Sequence, residues 1–242
     1  MFIRSVKLLL ILAIFAPYPC VMACDTVFRV VRENREDDQE IFARSVIEKA
    51  GCKIEIIKPV KGVVIDRRLV MIREGIIDLL VGVNKRPERE EYGYFSRPFR
   101  KEFVRIWAKK EDWDKYKDFD LATFSEKGIK LLGPSAGWYG PEFEAIRKAS
   151  DKNLIQTTNI PHGLELLLRS RGDVLLGADN FESRFPDEVK ERLVLLPPVL
   201  YEDTIHFMYS KKTVPIETVK IIDKVLVELL SEPVTSPVSK PD

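Results

Sequence analysis

Residues 75–99 read GIIDLLVGVNKRPEREEYGYFSRPF, and the parsing of this stretch decides the fold. Gly75 follows the short helical pattern of residues 67–74, where a helix end favours a residue that accepts positive φ. The run 76–83 is apolar almost throughout, which predicts a strand buried on both faces, as in a parallel sheet covered by helices. The segment Asn84-Lys85-Arg86-Pro87-Glu88-Arg89 then leaves the carboxyl end of that strand, where open α/β sheets bind ligands. A guanidinium there can grip a carboxylate through two parallel hydrogen bonds, which makes Arg89 the first candidate site residue. The alternative is a solvated loop arginine paired with Glu88 or Glu90. Arg86 carries a similar choice: a second positive charge in a pocket, or a side chain pointing to solvent.

Outward from this stretch, strand-like runs alternate with helical periodicity, the pattern of an α/β protein with a mainly parallel sheet. Upstream, residues 26–31 and 53–60 read as strands. Between them lies a helix capped by Asp37 and Asp38, apolar at Ile41, Phe42, Val46, Ile47 and Ala50, and ended by Gly51. Downstream, residues 103–109 form another strand and 110–120 a charged surface connector. A second series follows, with strands at 129–132, 154–158 and 174–176 and helices at 141–149 and 161–171. Pro197-Pro198 interrupts the chain before an alternating strand at 204–209. The helix 216–230 carries Val219, Ile222, Leu226, Leu229 and Leu230 on one face. Two α/β units joined near residues 109–114 and again near 197–202 predict two lobes, 24–109 plus 199–230 and 110–198. Each would be a mainly parallel sheet flanked by helices, with two hinge crossings and a ligand cleft between the lobes. The tail 231–242, rich in Pro, Ser and Thr, is read as flexible.

With 242 residues, 45% hydrophobic and 32% charged, the chain can bury a core without a dense disulfide or metal framework. Its 39 Lys and Arg against 38 Asp and Glu give a net charge of +1, which argues against a nucleic-acid binder. The basic run Arg97, Arg100, Lys101, Arg105, Lys109 and Lys110 is interleaved with Glu102, Glu111 and Asp112 and reads as a solvated strand edge. Arg4 and Lys7 before an apolar run, then Val21-Met22-Ala23, give residues 1–23 the layout of a signal peptide. The mature chain would begin near Cys24 as a soluble, monomeric, periplasmic protein. Loss of Cys20 leaves Cys24 and Cys52, an even pair in an oxidising compartment, and each stands at the start of a predicted strand. If those strands are parallel neighbours, the two can bridge. The competing fate of Cys24 is lipidation, since Val-Met-Ala-Cys loosely fits a lipobox. His162 and His206 show no metal-ligand spacing, and no phosphate-binding Gly-rich loop is present, so no cofactor is expected.

The motifs Gly75-Ile76-Ile77-Asp78, Pro87-Glu88-Arg89 and Phe95-Ser96-Arg97-Pro98-Phe99 resemble those of solute-binding proteins of bacterial ABC importers. The resemblance is to the polar-amino-acid branch, with the type 2 periplasmic-binding-protein fold. Members typically read G-x-x-D, a strand, T-P-E-R, then F-S-x-P-Y six residues after the arginine, and Arg89 to Phe95 keeps that spacing. The resemblance implies capture of an amino acid or other small carboxylate by hinge closure, for delivery to a membrane permease or receptor. Arg89 would hold the α-carboxylate, while Asn84, Arg86, Trp138 and Tyr139 would shape the pocket. Gly137-Trp138-Tyr139-Gly140 followed by Pro141 resembles the family's turn into a helix whose free N–H groups attract anions. Either ring could instead pack on the helix. The family's ammonium-binding Asp falls five residues after the Asp of a G-x-x-D pattern; here Asp173 is followed by Ala178 at that offset. Asp179, one residue further, becomes the candidate if a one-residue shift is allowed. The aromatic platform after the first strand is replaced by residues 32–36, Arg-Glu-Asn-Arg-Glu.

The same resemblance extends to periplasmic enzymes similar to cyclohexadienyl dehydratase, for which Glu142 or Asp179 would supply the acid or base, and to sensory modules. An independent signal is Gly133-Pro134-Ser135-Ala136-Gly137, which satisfies G-x-S-x-G, with Asp173 or Asp179 and then His206 later in α/β-hydrolase order. Against it, residues 138–140 intervene before the helix, and His206 falls inside an alternating strand.

Overall fold

The computed structural model describes residue 24 and residues 26–31, 38–57, 65–179 and 185–231. The expected signal segment 1–23, the Asp37 cap, residues 32–36, the strand end at 58–60 and the tail 232–242 lie outside the described residues.

In chain order the elements are β1 Val27–Val31, α1 Asp38–Lys49, β2 Lys53–Ile57, α2 Ile65–Glu74, β3 Leu79–Asn84, α3 Pro87–Glu90 and β4 Gly93–Phe95. Then come β5 Arg100–Lys109, a 3-10 turn Lys110–Asp112, α4 Trp113–Tyr116, β6 Leu131–Pro134, α5 Pro141–Ala149, β7 Leu154–Thr157 and α6 Ile160–Leu168. The chain closes with β8 Val174–Ala178, α7 Asp187–Lys190, β9 Leu193–Ser210 and α8 Ile216–Ser231.

β1 and β2 form a parallel pair, and the other strands form one sheet in the order β3-β9-β5-β8-β6-β7, with β4 beside β9. That sheet is mixed, which corrects the expectation of mainly parallel sheets. Parallel pairing holds for β6 with β7 and β8, whereas β3, β4 and β5 all run antiparallel to β9 and β5 runs antiparallel to β8. The reason is β9, whose 18 residues pair with β5 from Lys109↔Leu193 to Arg100↔Ile205 and then with β3. Pro197 and Pro198 do not end this strand. Where they occur β9 pairs only with β5, so its other edge needs no donor, and the register shifts between Arg105 and Trp107. Arg105 then donates from Nη2 to the carbonyls of Leu196 at 2.7 Å and Pro197 at 3.1 Å, replacing ladder bonds. β5 lies between β8 and β9, so the basic run is not a strand edge.

Strand alternation sends successive side chains to opposite faces, each closed by its own apolar cluster. Leu79, Phe207 and Tyr209 pack with Phe28 and with Val46, Ile47, Ile222 and Leu226 of α1 and α8. On the other face Leu80 and Met208 meet Ile72 of α2 and Ile77. Further along, Leu131, Val174 and Leu176 pack with Phe124 and with Phe143 of α5, and Leu132 and Leu175 with Leu164 and Leu167 of α6. The connector 110–120 is less of a surface element than its charge suggested, since Tyr116 and Phe119 are buried.

Three parts of the sequence motifs prove to be structural. Asp78, 4% exposed, accepts from the Arg29 backbone N–H at 2.8 Å, Arg29 Nε at 2.8 Å and Arg29 Nη2 at 2.7 Å. Its own N–H donates to Arg29 O, and Ser210 N–H donates to Asp78 O, so this residue joins β1 to the β3–β9 ladder. Gly75 ends α2 at φ +70°, where an added Cβ would lie 3.0 Å from Thr213 Cγ2. Ser96 Oγ accepts from Phe207 N–H at 2.9 Å, fixing the exit of β4 on β9. The disulfide Cys24–Cys52 closes the start of the parallel β1–β2 pair with Cα atoms 4.7 Å apart, as the strand-start positions allowed.

Candidate functional site

The segment after β3 is set by proline. Arg86 is extended at φ −139°, Pro87 begins α3, and that single turn folds Arg89 back against β3. Arg89 Nη1 donates to Asn84 O at 2.9 Å, so Asn84 contributes its carbonyl. Arg89 is 8% exposed, which removes the reading of a solvated loop arginine. Glu90 is paired with Lys85 at 2.8 Å, and among the described residues no carboxylate forms an ion pair with Arg89. Burial and the nearby Arg86 charge lower its pKa, opposed by Tyr92, Glu88 and Asp66. A guanidinium stays cationic under such shifts, so this is a desolvated positive charge.

Arg86 does not point to solvent. Its Nη2 is bonded to Asp203 Oδ2 on β9, Nη1 donates to Lys85 O at 2.9 Å, and the guanidinium carbon stands 4.9 Å from the centre of the Trp138 ring. The Arg86 and Asp203 side chains are 15% and 13% exposed. Asp203 Oδ1 accepts from Thr204 N–H at 2.8 Å.

Trp138 reaches this position from a turn with positive φ at Gly137 and Gly140. A Cβ at Gly140 would lie 2.8 Å from Tyr201, so only glycine lets the turn approach β9 this closely. Tyr139 goes elsewhere: its ring meets Phe143 edge-on at 6.0 Å within the apolar cluster under α5. That assigns Tyr139 to packing, not to the pocket. The start of α5 is also engaged within the chain, because Glu144 Oε1 accepts from Tyr139 N–H at 3.2 Å. Arg147 is bonded both to Glu144 and to Gly137 O.

Asp179 follows β8, its N–H donates to Phe103 O at 2.8 Å, and its Oδ1 is buried with no hydrogen-bond partner among the described residues. Between Asp179 and Asp203 lies Glu102, directly opposite Asp203 in the β5–β9 register. Like charges so placed repel. Arg100, at 3.1 Å from Glu102, and Arg86 on Asp203 offset this. Burial pushes the Glu102 carboxyl above its ordinary value; Arg100 pulls it down, and Asp179 and Asp203 push it further up. A raised folded-state pKa means that the contribution is present in acid and is lost as pH rises through it. Glu102→Gln is therefore expected to flatten the decline in Tm that sets in above the ordinary Glu pKa, and an unchanged pH profile would contradict this placement.

Arg89, Arg86, Asp203, Glu102 and Asp179 thus form a continuous series of electrostatic neighbours, joined by Trp138 over Arg86. The sequence reading put Arg100 and Glu102 on a solvated strand edge and missed Asp203. No motif carries them, and they meet only through a register between residues about a hundred positions apart.

The hydrolase constellation does not form. Asp173 accepts from Tyr116 OH at 2.8 Å and Lys130 N–H at 2.7 Å, while His206 is buried between Ser96 O and Thr204 Oγ1. Ser135 is exposed, and its N–H bonds Thr157 O. Glu142 is exposed on α5, and His162 sits beside Thr158 at the start of α6. Among the described residues no three His, Cys, Asp or Glu side chains gather to hold a metal, and no helix is long and apolar enough to cross a membrane.

No model of a known protein family matches the sequence, and no curated protein matches it. Solved structures do. A point variant of arginine-bound ArgBP from T. maritima superposes with a TM-score of 0.67 at 16% identity, covering 84% of this chain and 95% of that one. An amino acid ABC transporter substrate-binding protein from Streptococcus pneumoniae, bound to L-arginine, gives 0.65 at 19% identity, covering 85% and 87%. An ancestral amino acid-binding protein described as a precursor of cyclohexadienyl dehydratase gives 0.64 at 16% identity, covering 84% and 89%. The chain has the type 2 periplasmic-binding-protein fold. Within this type 2 fold, Arg89 lies just past the carboxyl end of β3, and Asp179 just past that of β8.

Proposed function

We propose that the chain is an exported, periplasmic solute-binding protein that captures an amino acid or similar small carboxylate for ABC-type import. In this reading β5 and β9 are the hinge crossings between two lobes, residues 24–109 plus 199–230 and residues 110–198. Arg89 clamps the carboxylate, Asp179 receives the ammonium, and Trp138 lines the cleft. The observation that carries the proposal is the buried Arg89 guanidinium, which among the described residues has a carbonyl partner and no paired carboxylate. Burying an uncompensated cation is costly, and a ligand carboxylate offsets that cost through charge-assisted hydrogen bonds. The unpartnered Asp179 Oδ1 supplies the complementary acceptor. Amino acids are the favoured class because the structural neighbours are described as amino-acid-binding proteins, two of them with arginine bound. The disulfide supports an oxidising compartment, and a Cys24 sulfur bonded to Cys52 cannot also carry a lipid.

A thermal-shift screen of the mature chain against amino acids and small mono- and dicarboxylates tests this. At a hundredfold excess over Kd, a ligand stabilises by about 2.7 kcal/mol, or roughly 5–10 °C. Arg89→Ala should weaken binding about 100-fold, the effect of truncating one side of a buried charge pair. Undiminished affinity in the variant would remove Arg89 from the clamp role. The second reading, an enzyme similar to cyclohexadienyl dehydratase, is favoured by one observation, the part-buried Glu102 carboxyl opposite Asp203 in the β5–β9 register. Turnover of prephenate or arogenate, lost in Glu102→Gln, would establish it.

A further inference from the structure

The geometry points to Trp138 and Asp203 as a guanidinium subsite whose occupant is the chain's own Arg86, which excludes solutes with cationic side chains. Three features of the contact support this. The partners come from distant segments: the loop after β3, the glycine turn before α5, and the middle of β9. The contact joins an ion pair on the edge of the guanidinium to an aromatic face 4.9 Å from its carbon, the two modes by which arginine is recognised. The site is enclosed, with Arg86 15% and Asp203 13% exposed, so a second guanidinium or ammonium cannot reach the carboxylate without expelling Arg86.

Charge decides what remains. Arg86 is paired with Asp203 and Arg100 with Glu102, leaving in this series, among the described residues, one cation, Arg89, and one acceptor, Asp179. Those two match the carboxylate and ammonium of a zwitterion, with no further unpaired carboxylate in this series among the described residues for a cationic side chain. This second step rests on the proposed solute-binding role; the existence of the subsite does not. Arg86 is on this view a specificity-determining residue, and shortening it should create a binding activity.

Arg86→Ala leaves a recess between the Trp138 ring and the Asp203 carboxylate. Methylguanidinium chloride at low millimolar concentration is expected to raise the Tm of this variant saturably by several degrees, while an equal concentration of urea does not. The parent should show no such rise, and Trp138→Leu added to Arg86→Ala should abolish it. If Arg86→Ala folds only with methylguanidinium present, that dependence is itself the expected rescue. If it does not fold at all, Arg86→Gln, which keeps the stem against Trp138, is measured in the same way. Absence of a saturable rise in the folded variant overturns the subsite.

A second arm compares L-arginine with neutral amino acids. The parent should bind L-arginine at least tenfold more weakly than does the Arg86→Ala variant; equal or tighter binding by the parent overturns the exclusion. Rescue by methylguanidinium with no amino acid bound to any form would retain the subsite and sink the solute reading. Neutral amino acids bound by the parent without rescue would do the reverse.

Discussion

Replacing Asp78 with Ala is expected to lower stability by about 3 kcal/mol, or roughly 6–12 °C in Tm, as for removal of one partner of a buried pair. The lower end of the buried-pair range applies because the Arg29 side chain is 37% exposed whereas that of Asp78 is 6% exposed. The variant strands the Arg29 guanidinium with Gly75 O and leaves the Arg29 N–H without its acceptor at the crossing from β1 to β3. Burial pushes the Asp78 carboxyl up, but hydrogen bonds from Arg29 and Thr213 and the Arg29 charge bring it below its ordinary value. A depressed folded-state pKa gives a contribution present above the unfolded value, about 3.9 for Asp, and lost as pH falls through the folded one. The gap between parent and variant should accordingly close in strong acid. Denaturant unfolding at neutral and acid pH measures both, and a loss below about 1 kcal/mol would mean that the pair contributes no more than an exposed one.

Cys52→Ser should have a comparable effect. The disulfide closes a loop of sequence separation 28, for which loop entropy gives about 3–4 kcal/mol. Both sulfurs are buried at the start of the β1–β2 pair, and this pair joins the rest through the Arg29–Asp78 contact and the cluster around Phe28. Melting with and without reductant gives the same comparison on the parent chain. A parent insensitive to complete reduction would show that packing alone holds these strands. Intact mass of the exported chain distinguishes the disulfide from a lipid on Cys24.

The order of elements was legible because buried strands and amphipathic helices repeat with different periods; α5 matched its sequence bounds and the carboxyl end of β3 fell within a residue of its own. The mixed sheet was not legible. The antiparallel pairing of β5 and β9 leaves no local trace, and two prolines inside β9 read as a break until its open edge and Arg105 explain them. Within the site, Arg89 was legible from its place after a buried strand. The contact of Arg86 with Asp203 and Trp138 required knowledge of three segments at once. Gly75, Asp78 and Ser96 drew attention as motif residues, yet their hydrogen bonds and close contacts serve the frame that carries Arg89. Tyr139 and Trp138 are neighbours in sequence with the same apparent claim, and only the turn between two glycines separates them.

The length and lateness of β9 govern timing as well as shape. β3 and β4 wait for a strand that begins 84 residues after β5 ends, counted from Lys109 to Leu193, and β5 has until then only its short ladder with β8. Until β9 arrives β3 and β4 present unpaired edges, so a partially delivered molecule stays open to chaperones. The β1–β2 pair is the exception, since its partners are close in sequence and its disulfide can form early. Assembly would then proceed from a small covalently locked corner, with the sheet zipping shut only when the last strand arrives.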